Sequence, residues 1–295
     1  MTAKQNLNDK QNLKNAAGSL YIVATPIGNL EDLSQRALDT LRNVDIIAAE
    51  DTRHSKHLLA YYNISRPLVS CHDHNEDKKA DSFIEKIRKG LNIALISDAG
   101  TPLISDPGYR LVKAAHEQGV SVVPVPGACA AVAALSAAGL PSDKFSFEGF
   151  LPAKSSARIH QLQQLAFEER TMIFYEAPHR VLACLDNMLE IFGAERQVAL
   201  ARELTKKFET IRLGTLSSLV EWSSGDSDQQ RGEMVIIVSG FEKQNKNELS
   251  AEEKRIMRVL LEELPLSQAA AIGSKLLGMG KKNLYGYGLR QKNKS

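Results

Sequence analysis

Ser97-Asp98-Ala99-Gly100-Thr101-Pro102-Leu103-Ile104-Ser105-Asp106-Pro107-Gly108 follows the apolar run Ile93-Ala94-Leu95-Ile96 with no room for a helix between them. A run of this kind reads as a buried strand, and the two Asp, two Pro and two Gly behind it describe a stiff, polar loop. In open α/β sheets, ligands bind outside the carboxyl ends of the strands, where this loop begins.

The arrangement recurs on both sides. Leu20 to Ala24 runs into Thr25-Pro26-Ile27-Gly28-Asn29, and Val120 to Val125 runs into Pro126-Gly127-Ala128-Cys129-Ala130. Helix-like segments follow at Ser34–Leu41 and Ala130–Ala138. Any one of these loops alone reads as a plain turn; three on one sheet edge point to a shared pocket. Neither G-x-G-x-x-G nor G-x-x-x-x-G-K-[ST] is present, and prolines supply no N–H for a phosphate cradle. A purine nucleoside carrying an amino-acid-like cation, with no phosphate, suits such loops better.

Further out, strands alternate with helical segments (Asp81–Lys89, Tyr109–Gln118), so residues 19–129 read as a mostly parallel α/β domain. Residues 130–242 carry the runs Thr171–Tyr175, Val198–Ala201, Phe208–Leu213 and Glu233–Val238, an α+β domain with a more antiparallel sheet. Residues 249–295 read as a helical, helix-turn-helix-like module: Ala251–Leu264 stopped by Pro265, a second helix capped by Ser267, a Gly278-Met279-Gly280 turn, and a last helix from Lys281 to Gln291.

At 295 residues, 43% hydrophobic and 24% charged, the chain can bury a sizeable core. Its first 18 residues are polar and read as a disordered tail, not a signal peptide, and no apolar run is long enough to span a bilayer, so a cytoplasmic enzyme is expected. Cys71, Cys129 and Cys184 form neither a disulfide framework nor a zinc pattern. In an extended Cys71-His72-Asp73-His74 segment the side chains alternate in direction, which does not gather four ligands, and no metal is expected. From Leu264 onward there are six basic residues and no acid, while the remainder holds 31 basic against 35 acidic. That polarisation points to a nucleic-acid backbone, with Lys281, Lys282 and Arg290 as contacts.

Three further strand ends bring charge to the same edge: Glu50-Asp51-Thr52-Arg53, Tyr175-Glu176-Ala177-Pro178-His179-Arg180, and Ala201-Arg202-Glu203-Leu204-Thr205-Lys206. Asp51, Glu176 and Glu203 are candidates to accept or orient a substrate proton, and Arg53, Arg180, Arg202 and Lys206 to face phosphates. A salt-bridge network between the domains is the competing reading.

Thr25-Pro26-Ile27-Gly28-Asn29-Leu30, Ala49 to Arg53, the Ser97 to Gly108 loop, Pro126 to Ala130 and Gly139-Leu140-Pro141-Ser142-Asp143 together resemble the tetrapyrrole-methylase superfamily of S-adenosylmethionine-dependent enzymes. Within it, they look most like the branch that methylates the ribose 2′-hydroxyl of a cytidine in the decoding region of 16S rRNA. Ala128 stands where the resemblance leads one to expect Pro. The resemblance implies two α/β domains with a cofactor cleft between them, S-adenosyl-L-methionine as cofactor, the small ribosomal subunit as partner, and a homodimer. It assigns the cofactor to Pro26, Gly28, Asp98, Gly100, Thr101, Gly127, Cys129 and Ala130, with Asp98 as polar anchor and Tyr175 and Ala201 as a far wall. It also places His72 or His74 at the active-site mouth. Two other readings stay open: a methyltransferase acting on a small tetrapyrrole, against which the basic appendage counts, and a non-enzymatic ribosome-binding factor.

Overall fold

The computed structural model describes residues 17–72, 76–242, 249 and 251–292, which fall into two compact units divided after Phe241. The segment expected as a tail lies outside the described residues up to position 16, as do Asp73 and His74.

In the first unit, strands β1 (Ser19–Val23), β2 (Ile46–Ala49), β3 (Leu68–Ser70), β4 (Ile93–Ile96) and β5 (Ser121–Val125) form a parallel sheet in the order β3-β2-β4-β1-β5. The crossovers contain α1 (Gln35–Asn43), α2 (Thr52–Tyr61), α3 (Glu76–Arg88) and α4 (Tyr109–Glu117). β2 and β4 are buried along their whole length, as strands covered on both faces must be, which explains their unbroken apolar sequences. Pro124 sits in the edge strand β5, where a missing N–H is tolerated. The sequence reading lacked α2 and β3, the latter being three residues long and too short to register as an apolar run. It also began α3 at Asp81, whereas the helix starts at Glu76, whose buried carboxylate accepts from the Leu111 N–H of α4 at 2.7 Å.

From β1 the chain crosses to β2 on one side, and from β4 it crosses back to β5 on the other. The direction of winding therefore reverses between the adjacent strands β1 and β4, which opens a crevice at their carboxyl ends.

The second sheet of this unit has the order β6-β7-β10-β8-β9, with β6 (Phe145–Phe150), β7 (Thr171–Glu176), β8 (Gln197–Arg202), β9 (Thr210–Thr215) and β10 (Met234–Val238). The β6–β7 pair is parallel and the others are antiparallel. One face packs against α6 (Ser155–Gln164), α7 (Val181–Phe192) and α8 (Leu216–Gly225) around Phe174, Leu185, Met188 and Ile236. On the other face, α5 (Ala130–Ala137) lays Ala131, Ala134 and Leu135 against Ile173, Ala199, Ala201 and Val235. Alanines on both sides let the helix axis approach the sheet closely.

The second unit is a set of helices, α9 (Ala251–Glu263), α10 (Leu266–Leu277) and α11 (Lys281–Lys292), around Leu249, Met257, Ala270, Leu284 and Tyr287. Two glycines permit the packing: a Cβ on Gly273 would lie 2.5 Å from the Met257 sulfur, and one on Gly288 would lie 2.3 Å from Leu266. Ser267 does not cap α10, as the sequence suggested. The cap position is Pro265 with no side-chain bond, and Ser267 lies in the first turn. Gly278 ends the helix at φ +64°, the left-handed cap that glycine allows. No helix among the described residues is long and apolar enough to cross a membrane.

Candidate active site

The site grows out of the loop after β4. Gly100 pairs with Thr25 after β1 through two backbone bonds, Thr25 N–H to the Gly100 carbonyl at 2.8 Å and Gly100 N–H to the Thr25 carbonyl at 3.1 Å. Thr101 Oγ1 donates to the Ala128 carbonyl at 2.9 Å, which ties in the loop after β5. The Asp98 carboxylate accepts from the Asp51 N–H at 3.1 Å, which ties in the end of β2. Leu103 and Ser105 hold left-handed backbones at φ +72° and +67°. Such residues cost on the order of 1–3 kcal/mol each and persist where the surroundings fix them.

Above this edge, facing the end of β7, lies a cleft of about 430 Å³, within the size range of small-molecule sites. Its walls include Asp98, Gly100, Thr101, Cys129, Ala130, Tyr175 and Glu176 from the sequence-predicted set. Tyr175 is fixed by its hydroxyl, which accepts from the Ala131 N–H at 3.1 Å, and burial pushes that hydroxyl well above its ordinary pKa. Glu176 is buried; its Oε1 accepts from the Ala177 N–H at 2.8 Å and from Arg180, with which it is ion-paired. Its Oε2 is buried, and the carboxylate also accepts a hydrogen bond from the Cys184 thiol, whose pKa is raised by burial and by this neighbour.

The remaining expected residues lie elsewhere. Pro26 is buried under its loop, and Gly127 packs on Ala24, where a Cβ would come within 2.8 Å. Gly28 faces the loop after β8: a Cβ there would meet Lys206 at 2.6 Å and Thr205 at 2.7 Å, and the neighbouring Asn29 N–H donates to Thr205 Oγ1. Ala201 belongs to the packing beneath α5 rather than to a wall of the cleft. Asp51 is the N-cap of α2, bonded to the Arg53 N–H and ion-paired with the exposed Arg53 side chain at 3.2 Å, and it is absent from the cleft wall. Glu203 is also outside the wall; Lys206 Nζ bridges it and Glu233 at 3.0 and 3.1 Å. Arg202 is buried, with its guanidinium donating to the Arg231 carbonyl, so it does not face phosphate. In the second unit, Lys281, Lys282 and Arg290 are exposed on α11. His72 is half-buried at the end of β3, and no cluster of metal-ligating side chains occurs among the described residues.

The structure adds Glu50, Asp106, Phe150, Leu204 and Glu233 to the wall. One signal could have exchanged Asp51 for Glu50: Asp is a preferred N-cap, so the Asp51-Thr52-Arg53 start of a helix turns Asp51 to its own backbone. Altogether five carboxylates, Glu50, Asp98, Asp106, Glu176 and Glu233, line the cleft, with no Lys, Arg or His among the described lining residues. Arg180 and Lys206, outside the wall, offset Glu176 and Glu233, and the acidic charge that is left suits a cationic ligand without phosphate, bounded by apolar walls at Ile27, Leu204, Met234 and Val235.

Residues 19–220 match the family of Tetrapyrrole (Corrin/Porphyrin) Methylases, and residues 247–292 match the RsmI C-terminal HTH domain. The chain is 53% identical to the ribosomal RNA small subunit methyltransferase I of Pseudomonas aeruginosa, over 95% of this chain and 100% of the relative. It is 55% identical to that of Haemophilus influenzae, over 92% and 96%. Among solved structures, uroporphyrin-III-C-methyltransferase from Thermus thermophilus superposes with a TM-score of 0.54 at 23% identity, covering 75% of this chain and 94% of that one. Diphthine synthase gives 0.56 at 12% identity, covering 75% and 90%. These last two share the fold. With the two sheets, the cleft at the crevice of the first and the helical second unit in place, the chain belongs to the tetrapyrrole methylase family, among the ribosomal RNA small subunit methyltransferase I proteins.

Proposed function

We propose that this protein methylates the ribose 2′-hydroxyl of a cytidine in the decoding region of 16S rRNA, using S-adenosylmethionine, with the small ribosomal subunit as substrate. The observation that carries the reading is the cleft, which has five carboxylates and no basic side chain among its described lining residues. That is the charge expected for a sulfonium bearing an ammonium group, and the opposite of a phosphate site.

When bound, the cofactor supplies an activated methyl group on a cationic sulfur. Asp98, already held by the Asp51 N–H, would anchor its ribose or amino-acid end, while the backbone around Gly100 and Thr101 and the small residues Cys129 and Ala130 shape the floor. Glu176 is the one member of the three proposed proton acceptors that lines the cleft. Its place in the cleft wall gives Glu176 the role of orienting or accepting the 2′-OH proton. The rest of the work is to hold donor and acceptor in line and to keep water out. Arg180 is committed to Glu176 and Lys206 to Glu203 and Glu233, so phosphates are left to exposed cations beyond the cleft wall: Arg53 in the first unit and Lys281, Lys282 and Arg290 in the second. Because an A-form major groove is too narrow to admit a helix, the latter would grip phosphates and shape. The protein would act in the cytoplasm as a homodimer and without a metal.

The test is transfer of a labelled methyl group from S-adenosylmethionine to small ribosomal subunits, with the label located by nuclease digestion and mass spectrometry. A 2′-O-methylated cytidine supports the reading. Cofactor binding without transfer to rRNA favours a small tetrapyrrole as acceptor, and no cofactor binding favours a ribosome-binding factor.

A further inference from the structure

β6 contains an irregularity that re-aims one side chain. Along its parallel pairing with β7, Phe147 stands opposite Ile173, but Gly149 then stands opposite Phe174 and Phe150 opposite Tyr175, so Glu148 is an extra residue. Side chains of a regular strand alternate, and residues three apart would point to opposite faces. The bulge cancels that alternation, and Phe147 and Phe150 both meet Tyr175, at ring-centroid distances of 4.9 and 5.6 Å. Gly149 makes the bulge possible with φ +65°, and it approaches the left-handed Ser105 of the loop after β4, whose hydroxyl would lie 3.5 Å from a Cβ. The consequence is that Phe150 joins the cleft wall although the residue remains 55% exposed.

Its neighbours are anchored. Leu151, next in sequence, is buried in the core, and Tyr175 is pinned by the Ala131 N–H. Tyr175 meets Phe150 edge-on, at an interplanar angle of 64°, so among the described residues no aromatic ring stacks on the Phe150 faces. A half-exposed aromatic ring at the wall of an acidic cleft matches the neutral, planar part of a nucleotide. Single-stranded bases stack on such rings.

We propose that Phe150 is the stacking platform for the base of the nucleotide whose ribose is methylated, drawn out of its helix to present the 2′-hydroxyl to the cleft. The inference rests on the rRNA-methylating function proposed above and adds how the acceptor nucleotide is seated. Phe147 supports the platform through Tyr175 and makes no contact with the base.

Three variants test it on the full-length protein: Phe150→Ala, Phe150→Leu and Phe150→Trp, each assayed for methyl transfer to small subunits and, by calorimetry, for S-adenosylmethionine affinity. Loss of base–aromatic stacking should lower kcat/KM for the subunit about ten-fold or more in Phe150→Ala. Phe150→Leu, which keeps apolar area but not the ring, should be similarly impaired, Phe150→Trp should recover activity, and cofactor affinity should stay unchanged in all three. Tryptophan fluorescence of Phe150→Trp should be quenched by added subunits beyond any change in the wild type. The proposal is overturned if Phe150→Leu matches the wild type, or if cofactor affinity falls in step with activity. It is equally overturned if Phe150→Ala loses activity because sedimentation shows the assembly dissociating, which would assign the exposed aromatic edge to self-association. If the wild type transfers no methyl group to rRNA, the functional reading itself fails and takes this proposal with it.

Discussion

At the scale of single residues, the cleft separates groups that the sequence presents as equals. Asp98, Asp51, Glu176 and Glu203 are all acids at the ends of strands, yet Asp98 and Glu176 line the cleft while the other two are committed to a helix cap and to Lys206. Asp98→Ala removes the expected cofactor anchor, a charge-assisted contact of about 1.5–3 kcal/mol, so calorimetry should show S-adenosylmethionine binding at least ~10-fold weaker. Unchanged affinity would remove Asp98 from the cofactor assignment. Glu176→Gln keeps shape and the Ala177 and Arg180 neighbourhood while removing the basic oxygen, so kcat should fall by roughly 10²-fold or more with cofactor affinity retained. A variant of full activity would exclude Glu176 as the proton acceptor. Which acid does what was legible only in part. The Asp-Thr-Arg cap signal lies in the local sequence, but the burial of Arg202 and the placement of Ala201 under α5 depend on strands far away in the chain.

Among the elements, the loop after β8 shows how a strained segment is held. Glu203 and Thr205 are both left-handed, at φ +52° and +65°, and the Lys206 ammonium bridges Glu203 and Glu233. Burial pushes the Glu203 carboxyl up, but the Glu233 N–H and the Lys206 ammonium outweigh it and leave its pKa below the ordinary value. A carboxyl depressed in the folded state contributes stability above its unfolded pKa and loses it as pH falls through the folded one. Glu203→Gln should therefore destabilise the protein at pH 7 and make the gap between denaturation midpoints at neutral and acidic pH narrower than in the wild type. An identical pH dependence in variant and wild type would show that the bridge contributes no folding energy. The short β3 and the partly exposed β6 were not read as strands at all, whereas the buried strands were legible because they are unbroken apolar runs. The bulge in β6 was not, since the sequence Phe145–Phe150 reads equally well in either register and only pairing with β7 shows the extra residue.

For the whole molecule, charge divides along the chain: the last helical unit carries exposed lysines and an arginine on α11, whereas the cleft of the first unit is acidic. A protein ending at Phe241 keeps every residue of the cleft wall, because that wall and both sheets lie in the first compact unit. It should bind S-adenosylmethionine as the full chain does, lose most of its affinity for rRNA, and show a shallower dependence of rRNA binding on salt, measured by filter binding across salt concentrations. Equal rRNA affinity in the shortened protein would move the nucleic-acid surface to the first unit. The sequence by itself determined the strand-loop-helix repeats, the three loops on one edge, the basic end and the family resemblance, because each depends on neighbours in the chain: apolar runs, Gly and Pro punctuation, and local charge. Only the tertiary structure decided that Glu50 rather than Asp51 faces the cleft, that Arg202 is buried, that Ala201 supports α5 and that Phe150 reaches the wall. Those outcomes follow from strand order, register and a single extra residue, and they are set by contacts between segments that lie far apart in the chain.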